Sequence, residues 1–411
     1  MQSQGMVPIP GEPPALDSAS TVAARSRGLH ETEPVRLINP NPPRLGELTE
    51  LFREIEAAGR FSNYGPINQR LERALARELF GDVGACVTVC NATLGLMLAI
   101  RQAVGEPDPR RRYALMPAFT FAATAQAALW CGLTPLLCDI DPETWLAAPG
   151  AEEELVARYG EDIAVVVPCT TFGAPIDFAH YDRLAHATGA AIVVDAAAAV
   201  GSRDHAGLNL GAGQARPSVF SMHATKPFAT LEGGFVYSAD PERIRDLRAM
   251  ANFGFVAGRS AVMPGLNAKL NEVTAAMGLA QLDRLAGIVA HREALAAAYR
   301  AALPDFLFQR AAVAVQAHVF LPALAPRPGR AGRDAFIRRA AAAGIEIGAY
   351  YDPHLGAQPY FRQTCRSGPL PMADAVSDRM LSLPLHDAMT VADVQRVAAA
   401  LRAIWLQEVD R

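Results

Sequence analysis

The chain predicts an α/β fold, with a mostly parallel central sheet flanked by helices and a smaller α+β C-terminal domain. Three observations carry the expectation. Between residues 85 and 240, short β-rich apolar runs alternate with helical patterns, as parallel strands joined by helices do. Several of those runs, such as AIVVD and EDIAVVVP, are almost wholly apolar, which suits strands covered on both faces. Finally, 411 residues are too many for one small core and fit one large and one smaller unit.

The elements follow in order. Residues 1–34 are rich in Pro, Gly, Ser and Glu with little periodicity, and read as a loosely ordered arm, drawn to residue 40. A large domain is expected over 41–295 and a small one over 296–411. Residues 44–58 have helical spacing, Asn63-Tyr64-Gly65-Pro66 is a turn, and Pro66 suits the first turn of the next helix. Cys86–Cys90 alternates as a short strand and runs through Asn91-Ala92-Thr93 into an apolar helix. Small residues at such a junction let backbone N–H groups face an anion, although an ordinary N-cap on Asn91 or Thr93 accounts for the same residues. Strand, loop and helix follow in YALMPAFTFAATAQAALWCG, then strands in LTPLLCDID, EDIAVVVP and AAIVVD. Asn252-Phe253-Gly254 lies in a loop-like run. A long helical pattern then covers residues 265–303, with a break expected near Gly287-Ile288, and leads into strand, helix, strand, helix.

Composition narrows the function classes. A net charge of -4 gives no reason to expect nucleic acid or an anionic membrane as partner. Six cysteines lack metal-ligand spacing, so no metal site is expected, and they read as reduced, buried thiols of a cytoplasmic protein. No uninterrupted apolar run of membrane-spanning length occurs, and the first residues lack the basic-then-apolar plan of a secretion signal.

Two charges stand out because their surroundings carry none. Lys226 sits in FSMHATKPFATLEGG with no other Lys or Arg. Partial burial there would lower its pKa and make the amine a nucleophile; taken alone, a solvated lysine on a turn is equally compatible. Asp195 ends the strand AIVV and precedes AAAAVG. A buried lone carboxylate costs several kcal/mol unless something pairs with it; the competing role is a cap on the following segment. Phe121, Asp195 and Lys226 all follow predicted strands, and ligands of such sheets sit beyond the carboxyl ends of the strands.

The motifs GPINQRLE, NAT, PAFTFAATAQA, CDIDPETW, GAPIDF, VVDAAAA, FSMHATK with LEGG, and GLNAKLNEVTAAMGLAQL occur in that order over about residues 44–405. Together they resemble the DegT/StrS-type sugar aminotransferases, a group of the fold-type I PLP-dependent transferases. The resemblance implies pyridoxal 5'-phosphate (PLP) as cofactor. Lys226 matches the lysine that carries it covalently, Asp195 the acid at the pyridine nitrogen, and Phe121 the ring that stacks on it. Ala92 and Thr93 match the phosphate cradle, to which Ser221 adds a hydroxyl. Asn252 matches a residue that reaches the phosphate from the neighbouring subunit, which implies a homodimer with shared active sites. The implied reaction moves an amino group from an amino acid donor, L-glutamate, to a keto group of a nucleotide-linked deoxysugar. Two alternatives remain open: the same chemistry on an aminocyclitol or other non-nucleotide ketone, and a catalytically weakened relative that binds PLP or a sugar nucleotide as a regulator. The chain departs from the pattern at Ala198, where the family has Gln or His, at Phe172 and Leu266, where Tyr is common, and over Pro353–Pro359. A related dehydratase branch has His at the lysine position, and Lys226 argues against it. His223 reads as a supporting histidine, and Glu232 as a residue of the Gly-Gly turn.

Overall fold

The computed structural model describes residues 29, 33–106, 108–326 and 329–409. After a first helix α1 (Thr49–Ala58) come α2 (Pro66–Phe80), β1 (Ala85–Val89), α3 (Ala92–Val104), β2 (Tyr113–Pro117) and α4 (Ala122–Trp130). Then follow β3 (Thr134–Cys138), α5 (Pro149–Tyr159), β4 (Ile163–Val166), α6 (Phe178–Thr188), β5 (Ala191–Ile192), β6 (Val194–Asp195), β7 (Ser218–Ser221) and β8 (Gly234–Ser238).

These strands build one continuous surface. β1, β8, β7 and β6 are neighbours in that order, and β5 continues through β4 and β2 to β3. The halves join because β5 and β6 are one strand interrupted at Val193, whose N–H donates to the Val166 carbonyl at 3.1 Å. Only β8 runs antiparallel to its neighbours β1 and β7; β2, β3, β4 and β5 pair in parallel, as do β6 and β7. Strand residues alternate between the two covered faces. Met116, Val219 and Val236 enter one core, while Leu115, Phe220 and Phe235 enter the other.

The chain continues through α7 (Pro241–Met250) into α8, which runs unbroken from Glu272 to Ala302. The break expected at Gly287-Ile288 does not occur. Leu285, Ile288 and Val289 are buried on either side of the glycine, and their packing offsets its cost of about 1 kcal/mol in a helix. The same helix is the one described helix long and apolar enough to cross a membrane, but 56% of its apolar window is buried inside the protein. Its early residues Ala275, Ala276 and Leu285 pack under the sheet, whereas Leu295, Ala296 and Tyr299 join a third core.

That third core lies between α8, α9 (Arg330–Ala342), α12 (Val391–Val409) and a small antiparallel sheet. The sheet is made by β9 (Leu307–Phe308), β10 (Leu321–Leu324) and β12 (Met380–Leu383), with β10 in the middle. Between β10 and β12 the chain returns to the large body. There α10 (Pro359–Thr364) leads into β11 (Arg366–Ser367), which pairs in parallel with β3, and α11 (Pro371–Ser377) follows. Leu355, Phe361 and Val376 are buried in the first core.

Residues 33–40, expected as the end of a loose arm, are seated. The Val35 N–H donates to the Gly344 carbonyl at 2.8 Å, and the Leu37 N–H to the Glu346 carboxylate at 3.1 Å. Two apolar side chains in this short run, Val35 and Leu37, are both buried, which gives it a reason to dock. The rest of the expected arm, residues 1–28 and 30–32, lies outside the described residues.

Candidate active site

The carboxyl ends of β1, β2, β4, β6 and β7 open on one edge of the sheet, because these strands share a direction. Asp195 is the last residue of β6. Its Oδ2 accepts from the Thr124 hydroxyl at 2.7 Å and its Oδ1 from the Ala197 N–H at 3.1 Å. Burial pushes its carboxyl above the usual range, while the Thr124 hydroxyl, the Ala197 N–H and the charge of Lys226 pull it back.

Lys226 stands on the loop between β7 and β8. Met222 N–H donates to Gly233 O, Ala224 N–H to Leu231 O and Lys226 N–H to His223 O, each at 2.9 Å, so the loop folds back on itself over the sheet edge. Gln281 of α8 anchors it from below, donating to the Pro227 carbonyl at 2.8 Å. The surrounding protein desolvates the amine and lowers its pKa, and the Asp195 charge opposes that shift. Each side chain therefore lies within the other's field.

The remaining predicted residues lie on several other elements. Phe121 precedes α4 at its N-cap position, with its side chain 57% exposed. Ala92 and Thr93 are the first residues of α3. The Asn91 side chain caps the helix by accepting from the Leu94 N–H at 2.9 Å, which leaves the Ala92 and Thr93 N–H groups with no acceptor inside the helix. Ser221 ends β7, is buried, and its Oγ accepts from the His223 N–H at 3.3 Å. His223 Nδ1 lies 2.9 Å from Thr225 Oγ1, and its Nε2 3.5 Å from Glu232. Asn252 lies on a ribbon whose backbone pairs it with Asn267, and the next residue of that ribbon, Ala268, accepts from the Cys90 N–H at 2.7 Å. Ala198 is partly exposed.

Two residues of the site carry no sequence signal of their own. Thr124 holds Asp195, yet in AATAQAA it reads as helix filler. Tyr351 reaches the site from the C-terminal third. Its ring stacks on Phe172 at 5.3 Å and tilts against Phe121 at 6.3 Å.

Chemically, the arrangement offers a desolvated amine, a buried carboxylate held by two neutral donors, a free helix N-terminus and an exposed aromatic face. Residues 45–402 match the model of the DegT/DnrJ/EryC1/StrS aminotransferase family. Protein Rv3402c of Mycobacterium tuberculosis is 35% identical over 374 residues, 90% of this chain and 89% of its own. A Bacillus cereus ATCC 10987 protein, assigned as a PLP-dependent aminotransferase, is 32% identical with a TM-score of 0.84, covering 90% of this chain and all of that one. DesI, solved in the presence of its TDP-sugar product, is 30% identical with a TM-score of 0.80, over 96% of this chain and 99% of that one. The chain belongs to the DegT/DnrJ/EryC1/StrS aminotransferase family, a family of PLP-dependent enzymes of fold type I.

Proposed function

We propose that the protein moves an amino group from an amino acid donor, L-glutamate, to a keto group of a nucleotide-linked deoxysugar, using PLP carried on Lys226. The observation that carries the reading is the mutual placement of Lys226 and Asp195, a desolvated amine and a buried carboxylate in each other's field at the carboxyl edge of the sheet.

The residues fit the cofactor. Both donors on the Asp195 carboxylate are neutral, so it retains accepting capacity for a charged N–H. A Cβ added at Gly234 would lie 2.9 Å from the Ala92 nitrogen. Glycine there keeps the chain close behind the α3 N-terminus, whose Ala92 and Thr93 N–H groups suit a phosphate together with Ser221. The exposed Phe121 ring offers a face to a heterocycle.

When bound, PLP supplies an electron sink for charge developing at the donor carbon. The chain's own residues do the rest. Asp195 would hold a proton in place at the ring nitrogen by a charge-assisted bond. Thr124 and the Ala197 N–H hold that carboxylate in its ionised form. Lys226 Nζ, freed when the donor amine takes its place and with its cationic form disfavoured by desolvation, would take the proton from the donor α-carbon and deliver it to the carbon that had carried the lysine. Phe121 and Phe172 keep water from one side of the pocket.

For the acceptor, the support is the likeness to DesI, whose structure was solved with a TDP-sugar product. For a homodimer it is a group of exposed apolar side chains, among them Phe61, Leu231, Phe253, Val262 and Leu266, of the kind that marks protein interfaces. Asn252 lies on the same ribbon as Phe253 and Leu266, and in this reading it serves the partner's site. We place the enzyme in the cytoplasm, in keeping with its six free cysteines.

The test uses the purified, PLP-supplemented protein. A visible absorbance band is expected that Lys226→Ala abolishes, that L-glutamate bleaches, and that a keto-sugar nucleotide restores with an aminated product seen by mass spectrometry. Absence of a lysine-dependent band in the wild type overturns the cofactor assignment. A band that L-glutamate leaves intact favours a binding role without transfer, and restoration by non-nucleotide ketones alone overturns the acceptor class.

A further inference from the structure

Tyr351 belongs to the C-terminal third, yet its ring lies inside the site. It stacks on Phe172 at 5.3 Å with 7° between the planes, meets Phe119 edge-on at 5.5 Å and Phe121 at 6.3 Å, and feels the charge of Asp195. The loop that carries it is braced from several sides. Ser377 Oγ donates to the Tyr351 carbonyl at 3.2 Å, and the Tyr350 N–H to Ser382 Oγ at 3.1 Å. The next residue, Asp352, accepts from Arg330 at 2.5 Å and from Arg333 at 2.7 Å. Arg333 is itself buried and donates to the Ser377 carbonyl. Such a brace suits a side chain whose position matters.

The rings packed on the phenol supply no polar side-chain atom, and the titratable side chains within its field are Asp195, Cys169 and Tyr350. Phe119, Phe121 and Phe172 are hydrocarbon rings. Ala198 borders the turn after Phe172, since a Cβ on Gly173 would lie 3.0 Å from its carbonyl. Among these five residues the polar side-chain atom is the Tyr351 hydroxyl. PLP, for its part, carries a phenolic oxygen beside the carbon that Lys226 engages, and in a desolvated pocket an anionic oxygen requires a donor.

We propose that Tyr351 is a cofactor-contacting residue whose hydroxyl donates to the phenolic oxygen of PLP and thereby sets the pH at which the Lys226-dependent absorbance changes. The inference rests on the cofactor reading above. A donor at that oxygen withdraws charge from it and weakens its hold on the proton shared with the neighbouring nitrogen. Loss of the donor therefore raises the pH midpoint of the absorbance change.

The experiment compares PLP-loaded wild type, Tyr351→Phe and Tyr351→Leu by pH titration of the visible band and by the rate of PLP loss on dialysis. In Tyr351→Phe, which keeps the ring, the midpoint is expected to rise by about one pH unit, a tenfold change in proton affinity. Tyr351→Leu is expected to shift it by the same amount, and to lose PLP faster because the wall is gone as well. If Tyr351→Phe leaves the midpoint within about 0.2 units of wild type, and Tyr351→Leu alone moves it, the hydroxyl has no such role and the proposal falls. A wild type without any lysine-dependent band overturns the cofactor reading and this proposal with it, so the two failures are distinguishable.

Discussion

Thr124 is a short side chain with a large effect, because it decides how a buried acid is held. Asp195 pays for its burial with a raised pKa, and the 2.7 Å bond from Thr124 is the strongest of the groups that counter it. Thr124→Val keeps the shape and removes the donor. Hydrogen bonds to charged groups are worth about 1.5–3 kcal/mol, so PLP is expected to be retained roughly 10- to 100-fold less tightly. The pH dependence follows in sign. In the proposed role Asp195 holds a cationic N–H only while ionised, so retention is expected above its pKa and is lost as pH falls through it. Without Thr124 that pKa rises further, and the loss begins at higher pH. Equilibrium dialysis of PLP across a pH series checks both effects, with Thr124→Ser expected to stay near wild type.

At this scale, legibility followed isolation. Lys226 and Asp195 could be picked out because a lone charge in an apolar run needs a reason to be there. Thr124 could not, because a hydroxyl in an alanine-rich helix is unremarkable until the fold puts it opposite an acid. Tyr351 could not either, because its relation to the site is made by chain that leaves the large body and comes back. Ala92 and Thr93 were open to two roles, and the structure shows one of them, the ordinary cap, since Asn91 caps the helix by accepting from the Leu94 N–H; the phosphate cradle belongs to the proposal.

Among elements, the start of α2 shows how two separate stretches become one device. The turn Gly65-Pro66 opens the helix with proline in its first turn. The donors of that turn are not met locally. Glu272, the first residue of α8 and fully buried, accepts from the Ile67 N–H at 2.8 Å and the Asn68 N–H at 3.1 Å. A Cβ on Gly65 would lie 2.5 Å from the Glu272 carboxyl carbon, so glycine makes the approach feasible. A carboxylate at a helix N-terminus gains from both the hydrogen bonds and the dipole. Glu272→Ala is expected to lower the unfolding free energy by about 1–3 kcal/mol, read from urea denaturation, while Glu272→Asp recovers part of it. The helix and its proline were visible in the sequence. The cap was not, since the sequence offers GPINQRLE and LNEVTAAM as unconnected segments and only the packing of α2 on α8 joins them.

For the molecule as a whole, Phe253, Val256, Val262 and Leu266 expose apolar side chains along residues 253–266. As the proposed dimer face, this stretch predicts a particle of about twice the 43.8 kDa chain mass by light scattering, shifted toward monomer by Val262→Asp. Burying a charge without a partner at such a face costs several kcal/mol, so a dissociation constant raised by at least tenfold is expected. A Val262→Asp protein as tightly paired as wild type would remove this face from the interface. The order of sheets and helices was largely readable, because the longer strands of the large sheet are mostly apolar. The interleaving was not: nothing local in residues 355–377 says that they return to extend the large sheet through β11.

The long helix α8 has a consequence for anyone recombining this protein with a relative. Its last turns supply Leu295, Ala296 and Tyr299 to the C-terminal core, and Arg292 binds Asp387 at 2.6 Å beneath them. A chimaera spliced between residues 295 and 296 would divide that shared girder and set each parent's contacts against the other's. A crossover placed before Asn271 moves the girder intact, and the contacts to match in the other parent are then those of Glu272 with the start of α2 and of Gln281 with the Pro227 carbonyl.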